Sequence, residues 1–135
     1  MAKSGRPLKV DKDLALIFLS IENHENEKVK NILQIHGIDA YDPDKRTALI
    51  NAAFYGNTDL IEWLIENKAD INAQDRGGWT ALHFAAQEDR LDVVELLIKK
   101  GANSNIKNEY GNKPLFYAEK DNKPIIELLK SRRVK

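Results

Sequence analysis

The chain has 135 residues, which is enough for one compact domain with a modest core. Its 21 basic and 21 acidic residues give a formal net charge of zero, so the composition indicates no general attraction to nucleic acids or anionic membranes. The sequence contains no cysteine, which excludes disulfides and thiolate metal sites and fits the cytoplasmic location that we expect.

The N-terminal part is predicted to be a flexible tail over residues 1–10, followed by a helix. The apolar residues 14–21 follow several basic residues, as in a signal peptide. However, the acidic residues Glu22, Glu25 and Glu27 stand where a cleavage site of small residues would be expected. The run is also too short to cross a bilayer. These features favour an ordinary helix.

A repeated segment dominates the remaining sequence. TALINAAFYGNTDLIEWLI begins at Thr47, and TALHFAAQEDRLDVVELLI begins at Thr80, 33 positions later. A period of this size is typical of stacked repeats, in which each unit buries its apolar face against its neighbours. We expect units at residues 42–74, 75–107 and 108–135, with residues 13–41 as a degenerate first unit.

Each unit is predicted to be a helix, a turn, a second helix and an extended loop. In the unit that begins at residue 75, Thr80 is a suitable N-cap for the first helix. Asp89 stands where the preceding unit has Gly56, so we expect a left-handed turn residue there. Gly101 follows the second helix and is expected to end it.

These residues carry a family resemblance. TALH at 80–83, AA at 85–86, DVVELLIKKGAN at 92–103 and ADINAQDRGG at 69–78 resemble the ankyrin repeat. The resemblance covers residues 42–130 well and residues 13–41 more weakly. It implies an all-α solenoid of stacked helix-turn-helix units with hairpin-like loops, forming a single domain over residues 11–135.

Two lysines depart from the ankyrin pattern. Lys45 replaces the turn glycine that Gly78 and Gly111 supply in later units, so we expect its loop to be less regular. Lys68 replaces the glycine found at Gly101, and we expect a modest energetic cost if that site is left-handed.

No motif in the sequence indicates catalysis. The three histidines, His24, His36 and His83, have no metal-ligand spacing, and no phosphate-binding loop surrounds Gly77 and Gly78. His83 lies in the TALH motif, and the resemblance implies a structural histidine that bonds the backbone between loops. We therefore expect no enzymatic activity, no cofactor and no bound metal.

In an ankyrin-like stack, a partner binds to a concave face formed by the loop tips and the first helices. Trp79 is the strongest candidate, although it could instead pack over Arg46 or Tyr110 between units. Phe54 and Tyr55 could pack under the next helix, and we expect Trp63 to lie in the core. Transferred position by position, the resemblance gives these partner-binding candidates: Arg46, Phe54, Tyr55, Arg76, Trp79, Gln87, Glu88, Tyr110 and Asn112.

The resemblance implies a non-catalytic module that binds another protein. We expect a monomer, although an exposed aromatic loop tip could also serve self-association. The alternative is an inhibitor or immunity protein of the kind found in bacteria, which blocks a toxin or an enzyme. Nucleic-acid binding or catalysis on the same scaffold is disfavoured by the neutral charge and the lack of a site motif. The basic residues at positions 130–135 favour a solvated helix end over a phosphate contact.

Overall fold

The structure is a computed structural model that describes residues 12–131, with side chains described from residue 17 to residue 130. The predicted tail at residues 1–10 lies outside this part of the chain. The described residues form eight helices and no strand. The helices are α1 (Lys12–Glu22), α2 (Asn26–His36), α3 (Ala48–Tyr55), α4 (Thr58–Glu66), α5 (Ala81–Gln87), α6 (Leu91–Lys99), α7 (Pro114–Tyr117) and α8 (Lys123–Ser131).

The helices form two layers of a stack. Helices α1, α3, α5 and α7 pack side by side in one layer, each against the next, while α4, α6 and α8 pack in the same order in the other. Each helix of the first layer also packs against the helix that follows it in sequence. This arrangement confirms the predicted all-α solenoid of helix-turn-helix units.

Small residues and threonine caps determine how the first-layer helices form and pack. The hydroxyls of Thr47 and Thr80 accept from the backbone N–H groups three residues later, which begins α3 and α5. Ala52 and Ala85 are fully buried on these helices. Their small side chains allow α3 and α5 to approach closely, so most of the large core residues come from the second-layer helices.

The second-layer helices supply the branched aliphatic core. Leu60 and Leu64 on α4 and Val94 and Leu97 on α6 are completely buried, as the helical spacing predicts. Burying a side chain of this size stabilises the fold by about 1.5–3 kcal/mol. Trp63 differs from the prediction because it is only half-buried at the edge of this core.

Left-handed residues end the helices where the sequence predicts them. Asp89 has φ 61° and Gly56 has φ 75°, so the prediction for Asp89 is confirmed. Lys68 also adopts the left-handed conformation, with φ 72°, at the position that Gly101 occupies one unit later.

The extended loops form fingers with the same backbone geometry in successive units. In the finger of Asp42, one carboxylate oxygen accepts from the N–H groups of Asp44 and Arg46, each at 2.9 Å. Asp75 and Asn108 make equivalent bonds in the next two fingers. Lys45 has φ 63° and takes the place of a turn glycine without disturbing this pattern. The expectation of a less regular finger at Lys45 was therefore wrong, because the side chain of Asp42 holds the turn.

Candidate functional site

Five aromatic side chains form a continuous row across three units, on the surface made by the fingers and the first-layer helices. We call this surface the concave face and the row the aromatic row. Its ring centroids are 5.0 Å apart for Tyr55 and Phe54, 6.0 Å for Phe54 and Phe84, 5.0 Å for Phe84 and Trp79, and 4.3 Å for Trp79 and Tyr117. Contacts at these distances add about 0.5–1.5 kcal/mol per pair beyond area burial.

Trp79 lies at the centre of the aromatic row and is half-buried. Its indole packs against Phe84 and Tyr117 and lies 5.6 Å from the ring of His83. These ring partners differ from the Arg46 and Tyr110 side chains that the sequence suggested. Trp79 therefore joins neighbouring units while keeping part of its ring accessible.

Arg46 lies beside the aromatic row. Its guanidinium carbon is 5.6 Å from the centroid of Phe84, which is a cation–π contact. Its Nε lies 3.6 Å from Oδ2 of Asp75, close enough for charge attraction but not for a hydrogen bond. Among the described residues, this Nε is a buried side-chain nitrogen without a hydrogen-bond partner.

Two cavities adjoin on the concave face, because Arg46 and Phe84 line both of them. The first has a volume of about 220 Å³ and is lined by Arg46, Ile50, Asn51, Phe54, Tyr55 and Phe84. The second has a volume of about 380 Å³, and its lining includes Asp44, Trp79, Gln87, Glu109 and Tyr110. Together they form a groove along the aromatic row from Tyr55 to Trp79.

The remaining candidates lie on the same face but differ in what they contact. Arg76 donates to the carbonyl oxygen of Pro43 at 2.6 and 3.1 Å, so it ties two fingers together while remaining exposed. Asn112 is half-buried and donates to the hydroxyl of Tyr117 at 3.2 Å. Both side chains have structural contacts that the sequence pattern did not indicate.

Besides Arg76, two of the candidate side chains are exposed, and among the described residues neither of these two side chains hydrogen-bonds to another finger. Tyr110 is 70% exposed, and Gln87 is exposed on α5. Glu88 is half-buried at the C-terminal end of the same helix. Tyr110 and Gln87 therefore offer contact area at the second cavity without a visible role in packing.

His83 is a structural residue, as the resemblance implies. The side chain is fully buried, its Nδ1 accepts from the N–H of Thr80 at 3.0 Å, and its Nε2 lies 2.8 Å from the carbonyl oxygen of Asn112. Because a carbonyl oxygen can only accept, Nε2 carries the proton and the ring is neutral. Burial lowers the pKa of His83, which keeps the ring neutral near neutral pH.

Asp39, which precedes the finger of Asp42 in sequence, also has a structural partner. Asp39 accepts from the N–H of Asp70 at 2.9 Å, and burial raises the pKa of Asp39. Asn72 accepts from the N–H of Asn103 at 2.8 Å one unit later. The repetition of this contact explains Asp39 by loop packing, with no need for acid–base chemistry.

The sequence did not identify two further aromatic residues. Phe84 lies on the concave face, and Phe116 lies on α7 in the last unit. Phe84 lies one helical turn before Gln87 on α5, and this spacing could have placed it on the same face. Phe116 is 68% exposed and occupies the position in its unit that His83 has in the preceding one. The helical spacing of Phe84 and the alignment of Phe116 with His83 can both be read from the 33-residue repeat.

Within residues 12–131, no group of three or more potential metal-binding side chains comes together. In the same part of the chain, none of the helices is both long and apolar enough to cross a membrane.

Comparison with known families agrees with the geometry. A model of ankyrin repeats matches the chain in three copies, over residues 16–108 and 77–135. No curated protein matches the sequence at a significant level. Ankyrin repeats are generally protein–protein interaction modules. The family match covers nearly all of the described residues, so the chain belongs to the ankyrin-repeat family.

Proposed function

We propose that this protein is a non-catalytic module that binds a partner protein through its concave face. The observation that carries the proposal is the groove along the aromatic row, where two adjoining cavities meet at Arg46 and Phe84. Aromatic residues and arginine are the residue types that contribute most to protein–protein binding energy. Trp79, Tyr55 and Tyr110 supply the first type on this face.

The rigidity of the groove also favours binding. The rings of the aromatic row pack against one another, and the fingers are held together by backbone bonds at 2.9 Å between Arg76 and Asp44 and between Glu109 and Gly77. A surface that is already ordered loses little conformational entropy when a partner binds. The groove can therefore convert more of its contact energy into affinity than a flexible loop can.

A comparison of two variants tests the proposal. The double variant Gln87→Arg/Tyr110→Ala alters two exposed side chains of the second cavity, and the control Glu62→Ala/Glu95→Ala alters two exposed side chains of the second-layer helices. Each protein is used to capture partners from an extract of the source cells, with quantification by mass spectrometry. We expect the specific partner to be reduced about tenfold or more with the first variant only.

The result would contradict the proposal if the partner were captured equally by the concave-face variant, or if the control lost it instead. Circular dichroism and thermal unfolding of both variants establish that they are folded, which is expected because all four side chains are exposed.

A further inference from the structure

Arg46 has a fixed backbone and unused hydrogen-bonding capacity. Its N–H donates to Asp42 at 2.9 Å, and its carbonyl oxygen accepts from the N–H of Asp42 at 3.2 Å, which fixes the residue in its finger. The side chain is 43% exposed, yet its Nε is buried without a hydrogen-bond partner. Because Nε exposes almost no surface, an incoming acceptor would meet the exposed part of the guanidinium, where a charge-assisted hydrogen bond is stronger than one between neutral groups.

Asp75 does not form a hydrogen bond with Nε of Arg46. Its Oδ1 accepts from the N–H groups of Gly77 and Trp79, both at 2.9 Å, and this holds the carboxylate in its own finger. Its Oδ2 stays 3.6 Å from Nε of Arg46. The guanidinium is therefore partly neutralised by Asp75 but keeps donors for a second carboxylate.

The first cavity determines what can accompany that carboxylate. Apart from Arg46, its lining is largely apolar or aromatic and includes Ile50, Phe54 and Phe84. Its volume of about 220 Å³ is below the usual range for drug-sized ligands, which is roughly 300–1,000 Å³. One large apolar side chain fits this space better than a small-molecule ligand does.

The second cavity carries negative charge, which attracts a bound segment more weakly than Arg46 does. Asp44 and Glu109 are exposed at its rim, where they could attract a basic side chain. Exposed charges of this kind contribute little because water and salt screen them. The charge that a bound segment would shield most from water is that of Arg46.

We propose that the groove recognises an extended segment of a partner protein in which an aspartate or glutamate adjoins a large apolar residue. The carboxylate accepts hydrogen bonds from the guanidinium of Arg46, and the apolar side chain fills the first cavity, which Phe54 and Phe84 line. This inference rests on the proposed function and specifies the chemistry of the partner. Arginine suits the task because its planar guanidinium pairs with a carboxylate through two parallel hydrogen bonds.

The probe is a random-peptide phage library selected on the folded protein, with selection on Arg46→Gln for comparison. We expect peptides from the unaltered protein to be enriched in Asp or Glu beside Leu, Ile, Phe, Met or Trp. Selection on Arg46→Gln should lose the acidic preference. Enrichment of basic residues, or no enrichment beyond that found with Arg46→Gln, overturns the proposal.

The affinity of synthetic copies of the enriched peptides is then measured by fluorescence polarisation, which tests the pairing of Arg46 with the peptide carboxylate directly. We expect Arg46→Gln to weaken binding about tenfold or more and Arg46→Lys to weaken it less. The control Lys99→Gln removes one positive charge from the exposed end of α6 and should leave the affinity within about twofold.

A change of the peptide carboxylate to an amide should weaken binding to the unaltered protein but not to Arg46→Gln, because the partner of the carboxylate is then already missing. Equal losses on both proteins overturn the carboxylate assignment. If such peptides still depend on Gln87 and Tyr110, concave-face binding stands and only the proposed chemistry fails. If no selected peptide depends on any of these residues, both proposals fail.

Discussion

The left-handed sites after α4 and α6 allow a direct measurement of what a side chain costs in folding free energy when its residue has positive φ. Lys68 has φ 72° and Gly101 has φ 96°, and the N–H of each donates to the carbonyl oxygen three residues earlier at 3.0 Å. Both residues are exposed. The two sites therefore share the same helix ending and differ mainly in whether a side chain must adopt positive φ.

The expected magnitude follows from opposing terms. A residue with a side chain costs about 1–2 kcal/mol in the left-handed conformation. Glycine is about 0.5–1 kcal/mol more costly to order than alanine. Loss of the lysine charge near a helix end costs about another 0.3 kcal/mol. Lys68→Gly should therefore stabilise the protein by about 0.5 kcal/mol, or roughly 1–2 °C in Tm.

Gly101→Lys supplies the reciprocal variant. No atom lies within 4 Å of a Cβ built at Gly101, so its substitution should cost only backbone strain. By the same three terms we expect a loss of about 0.5 kcal/mol. Urea unfolding followed by circular dichroism measures both changes, and Lys68→Ala serves as the control that retains a Cβ. The reasoning is refuted if Lys68→Ala stabilises as much as Lys68→Gly, or if Gly101→Lys is neutral.

Three further substitutions test the packing. Trp79→Ala should destabilise the protein by about 2–4 kcal/mol in urea unfolding, because its ring contacts three others; a neutral result would contradict that packing. Asn57→Ala should cost about 2–3 kcal/mol by the same assay, since the fully buried amide donates to Ile21 O at 3.1 Å and Asn26 Oδ1 at 2.7 Å. Its loss leaves the buried carbonyl oxygen of Ile21 and the half-buried Oδ1 of Asn26 without this donor, and an effect below about 1 kcal/mol would argue against these bonds. The lowered pKa of His83 means that the unfolded chain binds its proton first, so stability should fall as the pH drops below about 6.5. The free energy of unfolding should change by at most about 1.4 kcal/mol per pH unit, and His83→Gln should lack this change. The same pH dependence in His83→Gln would exclude His83 as the cause.

The sequence predicted the architecture well because each unit repeats its local signals. Thr47 and Thr80 cap their helices, and Asp89 adopts the left-handed conformation that its alignment with Gly56 indicated. Lys45 shows the limit of such reasoning. The preference for glycine at positive φ is worth only about 1–2 kcal/mol, and two hydrogen bonds to Asp42 are enough to outweigh it.

The candidate site was less predictable because a repeat alignment identifies equivalent positions, not contacts between units. It placed Arg46, Trp79 and Tyr110 on the fingers, and the structure brings all three to the same cavity. It did not show that the indole of Trp79 packs on Tyr117, since that contact depends on side-chain rotamers in two different units. Whether these residues bind a partner stays a prediction.

The position of the groove links binding to the stability of the stack. In a repeat protein each unit contacts only its neighbours, so a ligand that spans the aromatic row should stabilise the interfaces between the units of α3, α5 and α7. Hydrogen exchange with a selected peptide bound should slow most in α3 and α5 and change least in α2, which contributes no residue to either cavity. Equal slowing in α2 would mean that the peptide acts on the whole fold, and slowing in α2 alone would place the binding surface elsewhere. Because Trp79 both joins units and lines the groove, its substitution cannot separate these effects, whereas the exposed Tyr110 can.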